Sequence, residues 1–119
     1  SFISGRYAIN NNDLTTRDQA RTWVKNNWEE IAVGVAIHYL NSSKTNFSDH
    51  ALRNHSLSEA YAFIWSIKFN EDKVISQADI DLILSYFGGN LYNMSTSDIN
   101  MAKAKLAEVY NFESIADLL

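Results

Sequence analysis

The sequence predicts an all-α fold: four main helices in a compact bundle, with an extended N-terminal segment and a short C-terminal helical turn. Three observations carry that expectation. The 119 residues include no proline and only four glycines, so almost nothing interrupts regular structure. Hydrophobic residues make up 46% of the chain and aromatics 13%, enough to build the core of one domain in a chain too short for two. Apolar positions also recur at the three-and-four spacing of a helix over several stretches, each opened by a Ser, Thr or Asp suited to capping.

Taken in order, residues 1–15 read as an extended lead-in that lies across the helices, because Phe2, Ile3, Tyr7, Ile9 and Leu14 follow no helical period and Asn10 to Asp13 favour turns. Thr16 followed by Gln19 is a capping-box pattern. It opens a first helix over residues 17–41, with Ala20, Val24, Asn27, Ile31, Gly34, Val35 and His38 on one face. A loop at 42–47 leads to Ser48 and a second helix over 49–69. Its apolar residues, among them Leu57, Ala60, Tyr61, Phe63, Ile64 and Trp65, spread almost all the way round, the pattern of a central, buried helix. Ser76 with Asp79 caps a third helix over 77–87, ended by Gly88 and Gly89. Ser95 with Asp98, or else Ser97, caps a fourth over 96–110 through Ile99, Ala102, Leu106, Val109 and Tyr110. The last turn, 114–119, finishes on Leu118 and Leu119, an apolar end that wants a docking surface, either an N-terminal part preceding Ser1 or another chain.

Charge and motifs exclude several functions. The formal charge is −4 and the ten basic residues are scattered, which argues against a surface that neutralises phosphates and so against nucleic acid. Cysteine is absent, removing disulfides, thiolate metal sites and a thiol nucleophile. The uncharged apolar run from Ile31 to Leu40 is about half the roughly 20 residues a spanning helix needs. No phosphate-cradling glycine loop, nucleophile elbow, H-E-x-x-H or EF-hand loop occurs. Asn46-Phe47-Ser48 and Asn93-Met94-Ser95 fit the N-glycosylation sequon.

The polar residues that fall inside apolar stretches are the candidate site. His38 lies at the centre of the first helix's apolar face, with Gly34 one turn back and Glu30 two turns back. His55, Glu59 and Ser66 share a strip of the second helix. A carboxylate aimed into apolar surroundings needs a partner. If the two helices pack antiparallel, His38, His55 and Glu59 converge, either as ligands for a divalent metal ion or haem or as a closed hydrogen-bonded network that fixes register. Trp23, Trp28, Tyr39, Tyr61, Trp65, Phe87, Tyr92 and Tyr110 serve as core and rim, as the lining of a pocket for a flat ligand such as haem, or as a partner-binding patch.

The runs Trp28-Glu29-Glu30, Ala36 to Asn41, His55 with Glu59 to Ile64, and Phe87-Gly88-Gly89-Asn90-Leu91-Tyr92 resemble the C-terminal part of an uncharacterised family of bacterial cell-envelope lipoproteins. The likeness runs from about Gly5 onward. It implies an envelope location and a chain that forms the tail half of a larger exported protein. That family is distantly similar to the imelysin-type proteins, whose G-x-H-x-x-E signature is associated with metal. The nearest match here, Asn54-His55-Ser56-Leu57-Ser58-Glu59, lacks the glycine and spaces His and Glu four apart. Two functions are therefore expected: a non-enzymatic helical domain acting in binding or assembly, and a metal- or haem-binding domain using His38, His55 and Glu59.

Overall fold

A computed structural model describes all of residues 1–119 as five α-helices with no strand. They are α1 (Phe2–Asn10), α2 (Leu14–Thr45), α3 (His50–Ser66), α4 (Gln77–Ser85) and α5 (Thr96–Tyr110), with 3-10 turns at Ile67–Phe69 and Leu91–Asn93. The all-α expectation holds. The count is five rather than four because the N-terminal segment, expected to be extended, is helical. Its helical period escaped notice because α1 meets α2 through its smallest residues: Ala8 is buried, and a Cβ added at Gly5 would sit 3.1 Å from that of Ala20. Phe2, Ile3, Tyr7 and Ile9 are left exposed. Asn12, at φ 55°, turns the chain in the left-handed region that asparagine tolerates, and the Asp13 carboxylate caps α2 by accepting from the Thr16 N–H at 3.0 Å.

At 32 residues, α2 is about 48 Å long and sets the shape of the molecule, 56 × 25 × 25 Å. It passes through the expected loop at 42–47 as far as Thr45 because the polar side chains there bond back into their own helix. Ser43 Oγ donates to the Leu40 carbonyl at 2.7 Å, Thr45 Oγ1 to that of Asn41 at 3.2 Å, and Asn46 Nδ2 to that of Ser42 at 3.0 Å.

The core joins Val33, Ala36, Ile37 and Leu40 of α2 to Leu57, Ala60 and Ile64 of α3, Ile80 and Ile83 of α4, and Ile99, Ala102 and Leu106 of α5. The buried face of α2 is therefore not the one the spacing picked out. Ala20 is covered by α1, but farther along that face Ile31 is 63% exposed and His38 is exposed. Apolar residues thus mark two sides of α2: one packs on the body, and α1 covers only the N-terminal half of the other. Nor is α3 enclosed on all sides, since Leu52, Tyr61 and Trp65 are exposed and Phe63 is only half-buried. Of the two, α5 buries the larger share of its length, through Ile99, Ala102, Lys103, Leu106, Ala107 and Tyr110.

Asn111, at φ 57°, ends α5 in a left-handed cap, and the Phe112 N–H bonds to the Ala107 carbonyl at 2.8 Å. The chain then folds back on the body. Asn41 Nδ2 donates to the carbonyls of Ala116 at 2.7 Å and Leu119 at 3.1 Å, while the nearly buried Lys103 ammonium donates to Asn41 Oδ1 at 3.0 Å and pairs with Asp117. Of the apolar C-terminal turn, Ala116 is buried and Leu119 packs against the core, while Leu118 stays 83% exposed.

Candidate functional site

His38, His55 and Glu59 lie on outward surfaces. His38 is exposed, its ring edge-on to Tyr39 with centroids 5.6 Å apart. His55 is exposed on α3, as is Ser66 of the same strip. Glu59 is half-buried, so water solvates its carboxylate and the partner demanded by full burial is not required. No three His, Asp or Glu side chains come together as a metal-ligating group. His38, His55 and Glu59 are therefore not gathered as the ligands of one divalent ion.

The carboxylate that is buried is Glu29, 4% exposed, while its neighbour Glu30, read as inward-facing, is exposed. Glu29 Oε1 accepts from the Val74 N–H at 2.8 Å and from the Tyr110 hydroxyl, and Oε2 accepts from Asn70 Nδ2. One side chain thus joins α2, the segment after α3, and the end of α5. Hydrogen bonds to an ionised acceptor are roughly twice as strong as neutral ones, and three of them offset the desolvation of this buried charge. Burial first, then the bond to Glu29, raises the Tyr110 phenol above its ordinary pKa. The signal was present in the sequence: Glu29 shares its helical face with Val33, Ala36, Ile37 and Leu40, at offsets of four, seven, eight and eleven. Sequence reasoning weighed Glu30 instead because it had chosen the opposite face of α2.

Over this anchor lies a cleft of about 500 Å³ between α2 and the end of α3, lined by Val24, Trp28, Phe63 and Phe69, with Lys25 and Asn70 among its polar residues. The aromatics at its mouth are unusually open: Trp28 is 71% exposed and Phe69 is 69% exposed, the latter held edge-on by Trp65 at 4.8 Å. Lys25 ties α2 to the 71–75 connection through an ion pair with Asp72 at 2.8 Å. From Val24 and Lys25 a second groove runs along the α1–α2 arm past Phe2, Ile9, Arg6, Arg17 and Arg21. The cleft lining offers apolar surface edged by Lys25, which Asp72 already pairs, and by Glu71, while the groove along the arm adds Arg6, Arg17 and Arg21. The cleft's buried carboxylate is committed to three donors. The other aromatics singled out are dispersed: Tyr39 stacks on Phe63, Tyr61 meets Phe87 edge-on, and Tyr92 lies against His50.

The family profile for a domain of unknown function, DUF4856, matches residues 1–117. The chain belongs to the DUF4856 family. No curated protein and no solved structure matches it. Arm, cleft and the Glu29 anchor all fall inside the DUF4856 match, as does Asp117, the residue that pins the C-terminal turn to α5.

Proposed function

We propose that this DUF4856 chain is a non-enzymatic helical domain of a bacterial envelope protein, acting in binding or assembly by receiving apolar side chains of another polypeptide in the Trp28–Phe69 cleft. The observation that carries the reading is the exposure of those two aromatics, about 70% each, at the mouth of an apolar cleft. Large apolar side chains left open to water in one concave place are a mark of interaction sites, and aromatics in pockets supply most interface energy. Arg6 and Arg21 of the adjoining groove favour a partner with carboxylates beside its apolar residues. The envelope location rests on the resemblance to envelope lipoproteins, and no helix here is long and apolar enough to cross a membrane.

The reading is tested by separating binding from stability. Trp28→Ser and Phe69→Ser are expected to leave the urea midpoint of the isolated domain within about 0.5 kcal/mol of the parent, as for surface positions, and to abolish enhancement of an apolar fluorescent dye. A loss above about 2 kcal/mol for either variant would make these aromatics part of the core and end the proposal.

A further inference from the structure

One helix face carries no partner in the isolated chain. Along α2, the positions Ala20, Val24, Asn27, Ile31, Gly34 and His38 alternate at four and three residues, the repeat of a helix-packing seam. α1 occupies the first part of this seam, where Ala20 is buried, and beyond it Ile31 is 63% exposed, Gly34 half-buried and His38 exposed. Gly34 is the odd residue. A glycine inside a helix costs about 1 kcal/mol relative to alanine, and a Cβ added here meets no atom within 4 Å. Nothing in the isolated chain requires its smallness. Close approach of another backbone would.

We infer that α2 pairs antiparallel with α2 of a second copy, with the two-fold axis passing at Gly34. A carboxylate acceptor and an imidazole donor name this occupant. Glu30 and His38 are both exposed and stand four residues before and four after Gly34, so an axis at Gly34 sets Glu30 of each copy against His38 of the other, twice over. A parallel pairing would instead place Glu30 beside Glu30. Around the axis, the half-buried Val35 and the exposed Ile31 of the two copies interleave, and the glycines let the helices close to contact distance. The seam from Asn27 to His38 is about 17 Å long, so the dimer is expected to exchange with monomer. Of the seam positions only Val24 also lines the cleft, and Trp28→Ser is expected to leave the dimer intact.

The test uses the absence of native cysteine in this chain. Gly34→Cys is expected to form a disulfide-linked dimer rapidly under mild oxidation, because the axis brings that position against itself. Asn27→Cys lies seven residues from the axis, about 10 Å along each helix and so about 20 Å from its mate, and is expected not to cross-link. Gly34→Glu should keep the parent's circular dichroism spectrum, since the isolated chain has room for a side chain there, yet be monomeric by light scattering. Glu30→Lys should weaken dimerisation about tenfold, and Glu30→Lys with His38→Glu should restore it. A parent that stays monomeric at about 1 mM overturns the inference, as does a dimer in which Asn27→Cys cross-links as fast as Gly34→Cys.

Discussion

The sharpest energetic consequence concerns Glu29. In Glu29→Gln the amide oxygen can replace Oε1 and still accept from Val74 and Tyr110, which turns the amide nitrogen toward Asn70 Nδ2, a donor facing a donor. Asn70 cannot flip without loss, because its Oδ1 accepts the Asp72 N–H at 3.1 Å. One charge-assisted bond is lost, worth about 1.5 to 3 kcal/mol, and the other two become neutral. Relief of the buried charge returns part of this, leaving a loss of about 2 kcal/mol. At about 2.1 cal/mol/K per residue over the chain, that lowers Tm by about 8 °C. Tyr110→Phe removes another bond of the same carboxylate and should cost about 1.5 kcal/mol. Because both act on one group, the double variant should fall short of the sum by about 1 kcal/mol in urea unfolding. Additive losses, or a Glu29→Gln variant within 0.5 kcal/mol of the parent, would refute the anchor.

Three further outcomes are expected. The raised Tyr110 phenol keeps its proton in the folded state after the unfolded chain has released it, so the stability it contributes is intact below its ordinary value of 10.0 and is lost as pH rises beyond; urea midpoints from pH 8 to 11 should fall less steeply in Tyr110→Phe. Phe87→Ala, at a position 1% exposed, should cost about 3 to 5 kcal/mol and clearly more than Phe63→Ala at its half-buried site, a ranking that equal losses in thermal unfolding would overturn. Stoichiometric zinc should leave Tm unchanged in both the parent and Glu59→Gln, whereas a rise of several degrees in the parent alone would establish a site at His38, His55 and Glu59.

Helix existence was legible wherever capping and periodicity agreed. Ser76 with Asp79 and Ser95 with Asp98 mark α4 and α5, and both caps are formed, the second as a full capping box. What the sequence hid was direction. A 32-residue helix with apolar residues on two sides gives two overlapping periods, and the side holding Ala20, Ile31 and His38 was as plausible a core face as the side holding Val33, Ile37 and Leu40. Choosing it turned His38 inward and Glu30 with it, and left Glu29 unexamined. α1 stayed hidden for a related reason: its contact with α2 is made by Gly5 and Ala8, which periodicity built on large side chains does not register. The cleft depends on Trp28 and Phe69 meeting across some forty residues, a juxtaposition that no local spacing encodes.

The claim that the cleft receives a polypeptide is tested most directly by labelling Ser66→Cys, an exposed cleft residue, with a maleimide in the purified chain and in the protein in its host cell. Ala104→Cys, exposed on α5, serves as the reference. The account predicts that both label equally fast in the purified chain and that Ser66→Cys alone is protected at least tenfold in the cell. Equal labelling of the two positions in both settings would contradict it.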